Sequence, residues 1–218
     1  MADSALQRKN MVESQVRPSD VTDRRITSAM RDIPRDRFVP SEMATLAYMD
    51  TVITVAPGRG LMAPRDFARL VQLAEVQDGD SVLIVGSTLG YSAAVLSRIA
   101  SRVIALESDP NLCRKAQETM KSLGFSNAKI VCGSLADGWR DEAPYNVILI
   151  EGSLDATPQP LMDQLANGGR LVMVRMDDGV GHALVAIQNG ATTAQRIAFE
   201  ASAPRLPGFE QPARAFAF

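Results

Sequence analysis

From Ser81 onward, apolar positions gather in short, nearly continuous runs: SVLIVG at 81–86, RVIALE at 102–107, AKIVC at 128–132, NVILI at 146–150 and RLVMVR at 170–175. Runs of this length, without polar alternation, predict strands buried on both faces. Helical patterns separate them at 91–100, 110–123 and 158–165. Asp109-Pro110 and Thr157-Pro158 open the last two, each pair placing a capping side chain before a proline that fits a first helical turn. Strand and helix in alternation predict βαβ units and a parallel sheet covered on both sides.

The two ends read differently. Met11, Val12, Val16, Ile26, Ala29, Met30 and Ile33 recur at helical intervals interrupted by Pro18 and ended by Pro34, which predicts two helices. Residues 38–64 are rich in Pro, Gly and Thr with one β-like run at 51–55, and a helical pattern resumes at 66–73. Near the other end, ALVAIQ at 183–188 and the run at 192–201 flank Asn189-Gly190, a strong hairpin signal. The sheet is therefore expected to finish with antiparallel strands. The division expected is a helical cap with an active-site loop over 1–75 and a Rossmann-like core over 76–218, within a single domain.

Composition narrows the chemistry. With 218 residues, 46% of them hydrophobic, the chain can fill a sizeable core. A net charge of -2 supplies no broad positive field, so nucleic acid is not an expected partner. No apolar run approaches the roughly 18 residues of a membrane span, and the polar start MADSALQRKN does not read as a signal peptide, so a cytoplasmic, non-membrane protein is expected. The single histidine, His182, excludes a multi-histidine metal site and reads as the end of a turn. Cys113 and Cys132 lack CxxC spacing and are too few for a disulfide scaffold, which suggests a reducing compartment. Cys132 is expected in the core, and Cys113 as packing or surface.

The turn after the first strand, Gly86-Ser87-Thr88-Leu89-Gly90-Tyr91, lets backbone approach a ligand and ends at a helix N-terminus. Glu107 closes the second strand, where a carboxylate can accept both hydroxyls of a ribose. A nucleoside cofactor fits this pair, as does a plain tight turn beside an exposed acid.

Longer stretches add specificity. Met11-Val12-Glu13 with Gln15, IPRDRFVP at 33–40, Tyr48 and Asp50 before a Gly-containing loop, GYSAAVLSRIA at 90–100, Gly138-Trp139, APYNVILI at 143–150 and QLANGGRLV at 164–172 resemble, in order and spacing, the protein-L-isoaspartate O-methyltransferases. The resemblance implies a class I S-adenosylmethionine-dependent methyltransferase fold, S-adenosylmethionine as cofactor, and methyl transfer to the isoaspartyl carboxylate of damaged proteins. It places Gly86, Ser87, Gly90, Tyr91, Glu107, Ser134 and Leu135 around the cofactor. A protein or peptide is the implied partner.

The chain departs from the family pattern at several of these positions. Met62 stands where the family has the serine credited with activity, Ile84 replaces an acid, Thr88 a glycine, Ser134 an aspartate that would meet the adenine, and Asn146 another aspartate, while Glu151 replaces a small or apolar residue. A charge-assisted hydrogen bond contributes about 1.5–3 kcal/mol, so two lost contacts would weaken cofactor binding by about 100-fold or more if they add. Reduced or lost activity is the expectation. The alternatives are a non-catalytic binding or scaffold protein that kept the fold, a methyltransferase with another acceptor, and, more remotely, an NAD-binding oxidoreductase. Arg35 and Arg37 are weaker candidates for contact with a substrate carboxylate. The Phe-bearing segment at 205–218, with Phe209, Phe216 and Phe218, reads as closing the core.

Overall fold

The computed structural model describes residues 4–190 and 192–209. Phe216 and Phe218 lie outside them. Helix α1 (Ser4–Met11) runs on into a wider turn at Val12–Val16 and a short 3-10 turn at Arg17–Ser19, where Pro18 supplies no N–H to continue it. Helix α2 (Arg24–Asp32) is capped by Asp23, whose side chain accepts from the Arg25 N–H. A hairpin of β1 (Ile53–Ala56) and β2 (Arg59–Leu61) follows, then α3 (Pro64–Leu73).

The core then alternates: β3 (Ser81–Val85), α4 (Tyr91–Leu96), β4 (Arg102–Glu107), α5 (Pro110–Ser122), β5 (Ala128–Cys132), β6 (Tyr145–Leu154), α6 (Gln159–Met162), β7 (Leu165–Asp177), β8 (Val180–Asn189) and β9 (Thr192–Glu200). Among the described residues, β3 to β9 form one seven-stranded sheet in the order β5-β4-β3-β6-β7-β8-β9. The strands from β5 to β7 are parallel to one another, and β8 and β9 complete the sheet antiparallel, as expected from the Asn189-Gly190 turn. One face packs against the N-terminal helices, α3 and α4 in a core that runs from Met11 to Ala201; the other buries Leu83, Tyr145, Leu161 and Met173 with Leu206.

Three expectations are corrected here. Cys113 and Cys132 are joined in a disulfide, with their Cα atoms 6.0 Å apart. Helix α5 lays its buried face, carrying Cys113, over β5, and Cys132 ends that strand; the 19-residue separation hides a proximity that the crossover creates. The expected burial of Cys132 is overturned, since it is exposed at the end of β5, while Cys113 is buried as packing. His182 does not end a turn: it lies within β8, paired with Arg175 and Glu200, and the turn is at Asp178-Gly179.

Candidate functional site: the strand ends around Gly86 and Glu107

The strand order reverses at β3, because the chain moves outward from it through β4 to β5 and returns to its other side with β6. The carboxyl ends of strands at such a switch point leave a crevice in which ligands bind. Val85 is in register with Leu106 of β4 and Ile150 of β6, so the next residues, Gly86, Glu107 and Glu151, stand level across three neighbouring strands. Gly86 adopts φ +87° and Gly90 φ +90°, and the turn between them delivers the chain to α4. Thr88, at φ +50°, holds the left-handed conformation despite its branched side chain.

Glu107 is fully buried and its carboxylate is crowded. Oε2 accepts from Arg59 Nη2 at 2.5 Å and from the Thr88 N–H at 2.8 Å. Oε1 accepts from Arg59 Nε at 3.2 Å, the Ser108 N–H at 2.8 Å and the Asp109 N–H at 3.1 Å. Arg59, only 4% exposed, reaches in from β2 and forks across both oxygens, a bidentate geometry suited to guanidinium and carboxylate.

Leu206 covers the adjoining ground. A Cβ built on Gly86 would lie 2.8 Å from Leu206 Cδ2 and 3.3 Å from Arg59 Nη2, and one on Gly152 would collide with Leu206 as well. Leu206 is carried by an extended strap after β9 that bonds to β6 at Ser153: Ser153 N–H donates to the Pro204 carbonyl at 2.8 Å, and Leu206 N–H to the Ser153 carbonyl at 3.2 Å. Arg205 pairs with Asp155 at the surface.

The backbone frame fits a nucleoside cofactor: a glycine turn, a helix start and an acid at the next strand end. The side chains in this packing do not. Arg59 takes the carboxylate oxygens that ribose hydroxyls would need, and Leu206 lies on the glycine that would face the ligand. Four buried polar atoms around the same place, Ser87 Oγ, Thr88 Oγ1, Arg59 Nη1 and Glu151 Oε1, have no protein hydrogen-bond partner. Such orphans are rare in folded interiors and cost free energy where they occur.

The remaining named residues divide by position. Tyr91 opens α4, but its ring packs in the core against Phe38 and Phe67, with centroids 5.8 and 5.6 Å away. Ser134 is exposed in the turn after β5, and Leu135 is buried beside it in the second core cluster. Met62 is buried, and its carbonyl accepts from Arg35 Nη2 at 2.5 Å. Arg35 is wholly buried; it also donates to the Ala47 carbonyl at 2.7 Å and lies over the Tyr91 ring, so it ties the loop to helix α4, whereas Arg37 is exposed. Asn146 has a structural use, its side-chain oxygen accepting from the Ser81 N–H at 2.9 Å.

Glu151 is the unusual acid. It is buried, Ser92 Oγ donates to its Oε2 at 2.5 Å, and burial drives its carboxyl up to about 7 against the opposing pull of Ser92, Arg35 and Arg59. Sequence reading noted Glu151 but missed Arg59 and Leu206. Gly58-Arg59-Gly60 sets an arginine between two glycines, but its partner lies 48 residues away. Among the described residues, no group of three or more His, Cys, Asp or Glu is arranged to hold a metal, and no helix is long and apolar enough to cross a membrane.

Comparison with known proteins agrees with this architecture. Residues 6–196 match the family model described as protein-L-isoaspartate(D-aspartate) O-methyltransferase. Protein-L-isoaspartate O-methyltransferase 1 of Syntrophobacter fumaroxidans is 38% identical over 84% of this chain and 85% of its own. Protein-L-isoaspartate O-methyltransferase 2 of Shewanella sediminis is 39% identical over 76% and 68%. A solved structure named protein-L-isoaspartate O-methyltransferase superposes with a TM-score of 0.81 over 93% of this chain and 67% of that one; at 23% identity the likeness concerns the fold. A Plasmodium falciparum protein provisionally assigned to the same enzyme, solved in complex with S-adenosyl-L-homocysteine, gives 0.78 at 20% identity over 92% of this chain and 98% of that one. From residue 6 to residue 196, through cap, switch point and antiparallel finish, the chain belongs to the protein-L-isoaspartate O-methyltransferase family.

Proposed function

We propose that this chain methylates the isoaspartyl carboxylate of damaged proteins. The observation that carries the reading is the family match over 6–196, together with the glycine turn and Glu107 at the switch point. S-adenosylmethionine is the cofactor, and it supplies the methyl group. The acceptor is a protein or peptide carboxylate already ionised near neutral pH, so the chain's task is to align an oxygen and exclude water, with no strong base required. This is why Met62 at the position of the family serine is compatible with activity. Gly86, Ser87, Gly90, Glu107, Ser134 and Leu135 are proposed to border the cofactor, with Tyr91 supporting the turn from the core side.

The Arg59–Glu107 pair also suits a second reading, a scaffold that has kept the fold without the reaction. The two are separated by offering labelled S-adenosylmethionine with an isoaspartyl peptide and its ordinary aspartyl counterpart. Label entering the isoaspartyl peptide alone is the expected result; no transfer at saturating cofactor would overturn the enzyme reading. A cytoplasmic location is likewise a proposal, against which the Cys113–Cys132 bond weighs, since disulfides persist where thiols are kept oxidised.

A further inference from the structure

We propose that Arg59 and Leu206 form a plug built into the chain, which occupies the nucleoside groove and must withdraw before cofactor binds. The inference rests on the cofactor assignment above and adds a regulatory element to that site: the family's ligand competes with two side chains of the protein itself.

Three observations support a removable plug over a permanent filling. Glu107 does not depend on Arg59 for satisfaction. An ionised carboxylate offers about four acceptor positions, and the Thr88, Ser108 and Asp109 N–H groups already supply three donors without the guanidinium. Withdrawal of Arg59 therefore leaves a hydrogen-bonded acid facing the groove, with one acceptor position on Oε2 open to a ribose hydroxyl.

The second observation is the set of orphaned atoms. Ser87 Oγ, Thr88 Oγ1 and Arg59 Nη1 are buried without protein partners in the space beside the plug. An apolar filling evolved for stability alone would not surround itself with unmet donors and acceptors. A polar ligand entering here would supply partners.

The third is where Leu206 is carried. Its strap is not a strand of the sheet: it meets β6 through two backbone hydrogen bonds at Ser153, the Ser202 N–H donates to Asp66, Arg205 pairs with Asp155 at the surface, and Ser202, Arg205, Pro207 and Gly208 are exposed on either side of the buried Leu206. A surface strap outside the strand ladder can open locally without global unfolding. Glycine at both 86 and 152 makes room at one spot that either Leu206 or a ligand can fill.

The test is calorimetric titration of the full chain with S-adenosylhomocysteine, beside Leu206→Ala, Leu206→Met and Arg59→Ala. Leu206→Ala and Arg59→Ala should bind at least tenfold more tightly than the parent, equivalent to about 1.4 kcal/mol, while Leu206→Met, which keeps the bulk, should match the parent. Leu206→Ala leaves the Arg59–Glu107 pair intact and decides the matter alone. Equal or weaker binding by Leu206→Ala, with the parent still binding, overturns the plug and leaves the cofactor assignment standing. Failure of parent and variants alike to bind overturns both. Tighter binding without methyl transfer to an isoaspartyl peptide upholds the plug and removes the proposed acceptor.

Discussion

Replacing Glu151 with glutamine should change how the protein's stability depends on pH. Glu151 stands at the carboxyl end of β6 with almost no exposed surface, one oxygen accepting from Ser92 and the other without a protein partner. Burial raises its carboxyl from the ordinary 4.5 to about 7 in the folded protein. Between those values the folded state binds a proton that the unfolded state has released, so the stabilisation is fully present below about 4.5 and is lost as pH rises through 7. A shift of that size corresponds to about 3 kcal/mol. For a chain of this length that is about 6–12 °C in melting temperature. Glutamine keeps the shape and an oxygen for Ser92 but cannot ionise. Melting temperatures of the parent and Glu151→Gln, recorded from pH 5 to 8.5, should diverge, with the parent losing that amount relative to the variant. Parallel curves across the range would refute the argument, because they would mean that Glu151 has the same proton affinity in the folded and unfolded chain.

The remaining predictions concern two bonds and a turn. Cys113→Ser should lower stability by about 3 kcal/mol, the loop-closure entropy for some 20 residues, read as a shift in urea midpoint without reductant; superimposed curves would show that the bond constrains nothing. Thr88→Gly should raise stability by about 1 kcal/mol, since glycine holds a left-handed backbone without the steric cost to a branched residue, and a lower melting temperature would contradict it. Arg35→Ala should cost about 3 kcal/mol through two lost charge-assisted bonds to the Ala47 and Met62 carbonyls, and a change below about 0.5 kcal/mol in chemical unfolding would show that Arg35 does not secure the loop.

The parallel strands were legible because five apolar runs carry their own period and length, and β5 appears at the bounds its sequence suggests. Strands β6 and β7 extend beyond their apolar centres to Tyr145–Leu154 and Leu165–Asp177, because backbone pairing continues where side chains have turned polar. That extension also shortens the expected helix at 158–165 to Gln159–Met162. The β-like run at 51–55 overlaps β1, but its partner β2 was not marked, because Gly58-Arg59-Gly60 has no apolar alternation. At the site, Gly86 and Glu107 were readable from their place after strands. Arg59 and Leu206 were not, since each matters through a partner brought near only by the closed fold. The disulfide failed to register for the same reason.

Among the described residues the sheet ends on two edge strands, β5 and β9, the places where another chain could add a strand. Long-chain cations stand on both: Lys129 on β5, bound to Glu142, and Arg196 within the solvent-facing run of β9 beside the half-exposed Ile197. A second molecule approaching edge to edge would have to desolvate like charges, so the cations discourage end-on growth into fibres. Neutralising Lys129 and Arg196 together would remove that barrier without touching the core, and solubility at high concentration is where the loss would first be felt.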